Sequence, residues 1–240
     1  AGAAVVLEAD TGRVVAMASQ PTYDPSVWVG GISKNELAEL YSEEAGLPLL
    51  GRATQGQFAP GSTWKPFMTA GALTNGYGTD TRLDCSSSVQ VGNRAFKNYE
   101  SGAYGYIGFD KALEVSCNTF FYRIGLDYWQ RFGSDVADVD ARDPLVEEAQ
   151  EFGFGAETGV DLPGEASGRI ADRQWKRDYF ESQKDYYCSI ADKPRDAPSN
   201  RDLSDFVYKF AREFCVEGFA YRAGDAVNFA IGQGDTIVTP

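Results

Sequence analysis

The order of hydrophobic patterns along the chain is the feature that most constrains its fold. Residues 3–8 and 14–19 form two apolar runs around the polar segment Asp10-Thr11-Gly12, which predicts a β-hairpin with a tight turn. Residues 89–96 predict a second hairpin that turns at Gly92-Asn93. Helical patterns follow in the middle of the chain. Strands at the start and helices in the middle predict an α/β (α+β) fold class.

Capping residues indicate where some of the predicted helices begin. Ser33 and Glu36 have the spacing of a capping box, and Asp143-Pro144 combines an N-cap residue with a first-turn proline. Apolar spacing predicts further helices over three ranges, 61–73, 109–115 and 119–132. A last helix is predicted by residues that recur at helical spacing and would pack as core: Leu203, Phe206, Val207, Phe210 and Phe214.

The composition argues against several classes of function. The chain has 22 basic and 35 acidic residues and a net charge of −13. Nucleic acid is therefore not an expected partner, because a phosphate-binding surface must be basic. The chain contains no histidine, which removes Ser-His-Asp and Cys-His catalysis and ordinary histidine-ligated zinc. Any catalytic proton transfer must use another base.

The four cysteines, Cys85, Cys117, Cys188 and Cys215, lack the C-x-x-C spacing of a zinc ribbon or a thioredoxin-type motif. Three pairings are open, and four buried free thiols are an equally good alternative. In an oxidising compartment we expect Cys188 to pair with Cys215, because both lie in one aromatic-rich segment. Such a bridge would stabilise the protein by about 3 kcal/mol.

The sequence contains the motif Ser-x-x-Lys, in which Lys65 follows Ser62. Without histidine, lysine is the usual base for a serine nucleophile, and a spacing of three places both side chains on one helix face. We expect Ser62 at the N-terminal end of that helix, where the dipole favours an alkoxide or an oxyanion. Lys65 must be neutral to act as a base, so burial has to lower its pKa from about 10.4. The motif alone is weak evidence, because a chain of this length contains about one by chance.

The segment Ser116-Cys117-Asn118 separates two predicted helices, where side chains can point into a cleft. In a functional interpretation, Ser116 relays a proton between Lys65 and a leaving amine, and Asn118 holds a substrate amide. In a structural interpretation, Ser116 and Asn118 are ordinary helix caps. These residues by themselves leave both interpretations open.

Three other patterns have simpler structural explanations. Asp10-Thr11-Gly12 spells an aspartic-protease signature, but such a site needs two aspartates, and a hairpin turn explains a single copy. Four aspartates between positions 135 and 143 lack an EF-hand pattern and are expected in a solvated acidic loop. Gly232-Gln233-Gly234 lacks the third glycine of a dinucleotide-binding loop.

With their flanks, the serine motifs resemble the transpeptidase domain of class B penicillin-binding proteins. Residues 59–67, APGSTWKPF, are similar to the family's active-site segment, and 116–122, SCNTFFY, to its second motif. Residues 23–33 with Arg52-Ala53 are most similar to the elongation-type penicillin-binding protein 2 subfamily. Only 175–221 lacks a familiar pattern, and the remaining similar segments follow the family's order: 8–17, 152–155, 158–165, 230–234 and 238–240.

The resemblance implies a penicillin-binding/serine β-lactamase-like fold, with a central antiparallel sheet flanked by helices and a helical subdomain. It implies a peptidoglycan D,D-transpeptidase that cross-links stem peptides in cell elongation, without a cofactor or a metal. Ser62 would be acylated by a stem peptide ending in D-Ala-D-Ala, with Lys65 as the base, and its backbone N–H would supply half of the oxyanion hole. Ser116 would pass a proton to the leaving amine. Asn118 would bind the acyl-side amide and orient Lys65.

The resemblance also implies partners and a location. Peptidoglycan stem peptides would be the substrates, and β-lactam antibiotics would be trapped at Ser62 as slow acyl-enzymes. A glycosyltransferase of the elongation machinery is a further expected partner. The protein is expected in the cell envelope, at the outer face of the cytoplasmic membrane, where an N-terminal membrane anchor would hold it.

The family's third motif, Lys-Thr-Gly or Lys-Ser-Gly on a strand, does not occur in this sequence. The resemblance implies that it lies on C-terminal strands beyond Pro240. Thr239-Pro240 has the chemistry of a helix start, so further structure is expected after this point. Residues 1–240 are thus expected to be a single transpeptidase domain, truncated at both ends, without the anchor and the N-terminal non-catalytic domain and with an incomplete site. The alternatives are a related serine D,D-carboxypeptidase or β-lactamase, and a non-catalytic β-lactam sensor or scaffold.

Overall fold

The structure, a computed structural model, describes all 240 residues of the chain. The chain forms two compact units. Unit 1 comprises Ala1–Ala59, Gly153–Arg169 and Ile237–Pro240, and unit 2 comprises Pro60–Phe152 and Ile170–Thr236. Helices and strands both occur, which confirms the mixed α/β class.

Unit 1 contains the predicted N-terminal hairpin. Its elements are β1 (Gly2–Leu7), β2 (Val14–Gln20), α1 (Lys34–Leu40) and α2 (Arg52–Gln55). β1 and β2 pair antiparallel, with an irregularity between Val6 and Leu7. The capping box predicted at the start of α1 is present, because the Glu36 N–H donates to Ser33 Oγ and the Ser33 N–H donates to the Glu36 carboxylate.

Backbone pairing joins the three separate segments of unit 1. Phe58 pairs with Val238, and Arg169 pairs with Ile237, in isolated antiparallel bridges. Residues far apart in sequence therefore satisfy each other's backbone N–H and C=O groups.

Unit 2 contains most of the helices. Its strands are β3 (Leu83–Cys85), β4 (Ser88–Val91), β5 (Arg94–Lys97) and β6 (Gly105–Ile107). Its helices are α3 (Lys65–Thr74), α4 (Phe109–Glu114), α5 (Asn118–Phe132), α6 (Pro144–Glu151), α7 (Arg173–Ala191), α8 (Asp205–Glu217) and α9 (Ala223–Phe229). β4 and β5 form the second predicted hairpin, and the break predicted between α4 and α5 is present.

The antiparallel pairing that the resemblance implied is present in every pair of strands. The strands form three separate two-stranded sheets, β1–β2, β3–β6 and β4–β5, and every pair is antiparallel. A wide sheet requires further strands to hydrogen-bond to the edges of a pair. Residues 1–240 supply two strands to each sheet.

Helix α5 forms the centre of the core of unit 2. The side chains of Phe120, Phe121 and Ile124 are completely buried, and Phe120 packs edge-on against Phe109 of α4 at 5.1 Å between ring centroids. α5 also packs against α9, and Gly125 lies where α9 leaves no room for a Cβ. The apolar face of α5 therefore fixes the positions of α4 and α9 around it.

Helices α7 and α8 pack against each other in the region that lacked a familiar pattern. The predicted disulfide between Cys188 and Cys215 is present and joins them. The prediction that the apolar stripe of α8 packs as core is confirmed for Phe214, which is 6% exposed, and is wrong for Phe206, which is 76% exposed. Aromatic residues of α7 contact Phe210 and Phe214, whereas Phe206 stacks on Phe210 at the open end of the helix pair.

A second disulfide joins Cys85 of β3 to Cys117. All four cysteines are therefore paired, and the free-thiol alternative is wrong. None of the helices has the length and apolar character needed to span a membrane.

Replacing Gly125 with alanine is expected to destabilise unit 2 by about 1–3 kcal/mol, because α5 and α9 would have to separate. The added Cβ would lie 2.8 Å from the Ala226 carbonyl oxygen and 3.0 Å from the Ala230 Cβ. Gly224→Ala is the matched control on α9, since its Cβ would meet only Phe96, at 3.9 Å. The control should keep or gain stability, by up to about 1 kcal/mol. Urea unfolding compares the two variants, and equal stability would contradict the tight α5–α9 contact.

Candidate active site

Ser62 lies on a 3₁₀ turn, Gly61–Trp64, that continues directly into α3. The sequence predicted a single helix from residue 61. In the structure the first turn of this helix is 3₁₀ and the α-helix begins at Lys65, an arrangement that is frequent at helix N-termini. Thr63 Oγ1 donates to the Pro60 carbonyl oxygen at 2.7 Å and fixes this turn. The Ser62 side chain is exposed at the N-terminal end of the helix, where the sequence analysis predicted it.

Lys65 is the first residue of α3, and its side chain is only 1% exposed. Its Nζ donates to Asn118 Oδ1 at 2.6 Å, to Ser116 Oγ at 3.0 Å and to the Ser116 carbonyl oxygen at 2.8 Å. An ammonium group has three donors, and each one has an acceptor here. The structure therefore brings Lys65, Ser116 and Asn118 together, as the sequence analysis predicted.

Ser62 joins these residues through Ser116. Ser116 Oγ donates to Ser62 Oγ at 2.8 Å, so a continuous hydrogen-bond chain runs from Lys65 Nζ through Ser116 Oγ to Ser62 Oγ. All four predicted site residues are thus in one network within unit 2. The spacing of Ser62 and Lys65 on one helix did not reveal that Ser116 would stand between them.

Burial lowers the pKa of Lys65 to about 8. Trp64 and Met68 are completely buried beside it, and the Phe121 ring lies 5.6 Å from Nζ. Removing water from an amine disfavours its charged form, which is the reason for this shift. The neutral fraction of Lys65 is consequently much larger at neutral pH than for an exposed lysine.

Ser116 occupies an unusual backbone position at the end of α4. Its N–H donates to the Leu113 carbonyl, and the Cys117 N–H donates to the Ala112 carbonyl, which is the hydrogen-bond pattern of a Schellman motif. Ser116 holds the position where glycine is most common, with φ at +53°. A serine in this left-handed conformation is strained, and such residues cluster at functional sites. The strain at Ser116 follows from the position at which α4 ends, which the sequence pattern does not give.

The alternative that the side chains of Ser116 and Asn118 cap the start of a helix is wrong. The N-cap residue of α5 is Cys117, whose Sγ accepts from the Phe120 N–H at 3.3 Å, and the Thr119 N–H donates to Asn98 Oδ1. The side chains of Ser116 and Asn118 are therefore free of capping contacts and reach Lys65 instead.

Gly232 is a site residue whose role the sequence analysis missed. Its carbonyl oxygen accepts from the Gly61 N–H at 2.8 Å, next to Ser62. Its φ is +67°, and an added Cβ would lie 2.5 Å from the Gly61 carbonyl oxygen and 2.6 Å from the Trp64 Cβ. The segment 230–234 is one of those whose sequence is similar to the family. Its contact with the serine turn explains why position 232 requires a glycine.

The hydrogen-bond chain can exist in two forms. When Lys65 is protonated, Nζ donates to Ser116 Oγ, and Ser116 donates to Ser62. When Lys65 is neutral, both bonds can reverse, so that Ser62 donates to Ser116 and Ser116 donates to Nζ. The change between these two forms moves one proton between Ser62 and Lys65, which suits a serine nucleophile with an amine base.

Named proteins are similar to this chain over much of its length. The peptidoglycan D,D-transpeptidase MrdA of Escherichia coli is 34% identical over 181 residues, which are 74% of this chain and 26% of that protein. MrdA of Salmonella typhimurium is 33% identical over 241 residues, which are 99% of this chain and 31% of that protein. Penicillin-binding protein 2 from Helicobacter pylori, solved in a complex with MreC, has 25% identity and a TM-score of 0.72, over 98% of this chain and 35% of that one.

The chain spans about a quarter to a third of the length of these curated relatives. The family profile described as "Penicillin binding protein transpeptidase domain" matches residues 2–239. The chain therefore belongs to the family of penicillin-binding protein transpeptidase domains, with relatives of the penicillin-binding protein 2 type.

Proposed function

We propose that the protein is a peptidoglycan D,D-transpeptidase of cell elongation, in which Ser62 is the acylated nucleophile. The observation that carries this proposal is the hydrogen-bond chain from Ser62 through Ser116 to the buried amine of Lys65. The relatives named as transpeptidases support the same function. The substrate is a stem peptide that ends in D-Ala-D-Ala.

In the acylation step, neutral Lys65 receives the Ser62 proton by way of Ser116. The Ser62 proton moves to Ser116 Oγ while the Ser116 proton moves to Lys65 Nζ. Ser62 Oγ attacks the carbonyl carbon of the penultimate D-Ala, and the carbonyl oxygen becomes an oxyanion. The backbone N–H of Ser62, at the N-terminal end of α3, donates a hydrogen bond to that oxyanion.

In the second half of acylation, the tetrahedral intermediate collapses and the C–N bond to the last D-Ala breaks. Protonated Lys65 returns its proton through Ser116 to the leaving nitrogen, which departs as an amine and leaves an ester on Ser62. An amine of a neighbouring stem peptide then attacks this ester. The same relay removes a proton from the attacking amine and restores the Ser62 hydroxyl as the cross-link forms.

Asn118 has two roles in this proposal. Its Oδ1 accepts from Lys65 Nζ and so orients the base. Its amide Nδ2 donates to the acyl-side carbonyl of the bound stem peptide, which sets the register of the substrate against Ser62. β-Lactams enter the same site, and their acyl-enzymes on Ser62 hydrolyse slowly.

Two features support a location outside the cytoplasm. The two disulfides are typical of proteins in oxidising compartments. The relatives are named peptidoglycan D,D-transpeptidases, which supports a location in the cell envelope. We propose that the protein works at the outer face of the cytoplasmic membrane, held by an N-terminal anchor, and that it assembles with a glycosyltransferase. The Helicobacter pylori relative forms a complex with MreC.

Ser62→Ala is expected to abolish labelling by a fluorescent penicillin, because the proposed acyl ester forms on the Ser62 hydroxyl. Labelling and intact-protein mass spectrometry should be carried out on residues 1–240 and on the full-length gene product. Ser182→Ala, on the exposed face of α7, is the control and should label like the wild type. A label on a different serine would overturn the assignment of the nucleophile.

The same preparation separates the alternative functions. Rapid turnover of nitrocefin would indicate a β-lactamase or carboxypeptidase in place of a transpeptidase. A Ser62→Ala protein that fully replaces the wild type in growing cells would indicate a non-catalytic sensor or scaffold.

The rate of penicillin acylation is expected to rise with pH and to reach half of its maximum near pH 8. Only neutral Lys65 accepts a proton, and burial lowers its pKa to about 8. Lys65→Arg should lower the rate by about 10²–10⁴-fold, because a guanidinium is never neutral in this range. The Lys184→Arg variant, in which the changed residue is a partly exposed lysine of α7 outside the network, should keep the wild-type profile. A flat profile between about pH 6 and pH 9.5 would contradict this role of Lys65.

Gly232→Ala is expected to lower the acylation rate by about 10–100-fold, because its Cβ would displace the serine turn at Gly61 and Trp64. Gly234→Ala is the matched control. It has the same left-handed strain, with φ at +80°, but its Cβ would meet only Asn228, at 3.4 Å. Acylation rates below both melting temperatures measure the effect. Equal rates in the two variants would show that the Gly232 contact does not position the nucleophile.

A further inference from the structure

The disulfide between Cys85 and Cys117 lies inside the active-site motif. Cys117 stands between Ser116, which contacts the nucleophile, and Asn118, which contacts Lys65. Its partner Cys85 is the last residue of β3, outside every segment that carries the catalytic network. Cys85 is completely buried and Cys117 is 1% exposed. A covalent bond thus ties the backbone between the two catalytic side chains to a strand.

Hydrogen bonds connect the same two segments around the disulfide. Thr119 Oγ1 donates to the Ser86 carbonyl oxygen at 2.8 Å, and the Thr119 N–H donates to Asn98 Oδ1 at 2.8 Å. Asn98 Nδ2 donates in turn to the Ser86 carbonyl oxygen at 2.9 Å. Arg123, one turn further along α5, donates to the Asp84 carbonyl oxygen at 2.8 Å. The end of β3 therefore acts as a support for the first turn of α5.

The backbone at this junction needs such a support. Ser116 is held at a φ of +53°, a conformation that a serine adopts rarely. The N-cap acceptor of α5 is the sulfur of Cys117, which accepts more weakly than the oxygen of a usual N-cap residue. The strained Ser116 and the sulfur N-cap of Cys117 hold this turn weakly. The disulfide to Cys85 therefore contributes much to keeping the turn in place.

We propose that the Cys85–Cys117 disulfide is a positioning element of the acylation site, which holds Ser116 and Asn118 at the distances that the Ser62–Ser116–Lys65 relay requires. Oxidation of these two thiols is then a condition for full activity. This inference rests on the proposed function, and Cys85 and Cys117 act through their neighbours without touching the substrate.

The main test compares two double variants. Cys85→Ala/Cys117→Ser removes the tether, places a small apolar side chain at the buried position 85, and gives α5 a stronger N-cap at position 117. Cys188→Ala/Cys215→Ala removes the other disulfide, between α7 and α8, and is the matched control. The acylation rate is measured with fluorescent penicillin as a function of pH, below the melting temperatures of all three proteins.

In the Cys85→Ala/Cys117→Ser variant we expect the maximal acylation rate to fall about 10–100-fold, because small displacements of catalytic groups have effects of this size. We also expect the midpoint of its pH profile to move above pH 8, since a loosened Ser116-Asn118 segment lets water reach Lys65. The control should keep both the rate and the midpoint. A rate within about twofold of the wild type with an unchanged midpoint would overturn the proposal.

A second measurement does not depend on the folding of a variant. Dithiothreitol gives two electrons and two protons to a disulfide, which yields two thiols and the cyclic disulfide of the reagent. Cys188 and Cys215 are half-buried, so in the native wild type they should be reduced first, without loss of acylation. Acylation should fall only as Cys85 and Cys117 become open to alkylation, which mass spectrometry follows. If acylation is lost while only the Cys188–Cys215 disulfide is being reduced, the proposal is contradicted.

A readout that needs no reaction separates this inference from the proposed function. The titration of the Lys65 ε-methylene signal by nuclear magnetic resonance, assigned by its loss in Lys65→Arg, reports the position of the amine directly. If the wild type is never labelled by penicillin, the proposed function fails. The positioning inference then stands if Cys85→Ala/Cys117→Ser shifts this titration and the control Cys188→Ala/Cys215→Ala does not. It fails if the titration is unchanged in Cys85→Ala/Cys117→Ser.

Discussion

The burial of one amine, Lys65 Nζ, is the constraint on which the rest of the site depends. A buried ammonium group is strongly destabilised unless it is hydrogen-bonded, and Ser116 and Asn118 provide its three acceptors. Buried neighbours such as Trp64 keep water away and lower the pKa of the amine to about 8. A chain without histidine thereby has an amine that is partly neutral near neutral pH, as the proposed role of Lys65 as a base requires. The acceptors serve this purpose only if the α4–α5 junction is held in place.

That junction combines a strained residue with several supports. Ser116 adopts a left-handed conformation at the end of α4, at an energy of about 1–3 kcal/mol. The Schellman hydrogen bonds of α4 hold the N–H groups of Ser116 and Cys117, the disulfide holds Cys117, and the side chain of Asn98 accepts from the Thr119 N–H. On the opposite side, Gly232 contacts the serine turn closely enough to exclude any side chain. Ser62, the proposed nucleophile, and Ser116, the proposed relay residue, are thus positioned by contacts from distant parts of the chain.

Local sequence signals predicted helices and strands well where the start, turn or end of the element is set by neighbouring residues. The Ser33–Glu36 capping box, the Gly92-Asn93 turn and the break before α5 are all confirmed. Predictions failed where the partner lies elsewhere in the chain. Phe206 shares a helical stripe with Phe214, but only the latter is covered by α7, and periodicity does not show which part of a face is covered. Which strands pair, as β3 does with β6, also depends on contacts between distant parts of the chain.

The sequence by itself determined the family, the Ser62-x-x-Lys65 spacing, the absence of histidine and the motif at 116–118, because these are properties of residue order and type. It also pointed to Cys188 with Cys215. Only the tertiary structure decided that Ser116 stands between Ser62 and Lys65, that Cys85 pairs with Cys117, and that Gly232 supports the serine turn. These contacts join residues from about thirty to more than one hundred positions apart. Helical and strand periodicities describe only near neighbours, so they carry no information about contacts that form when distant segments pack.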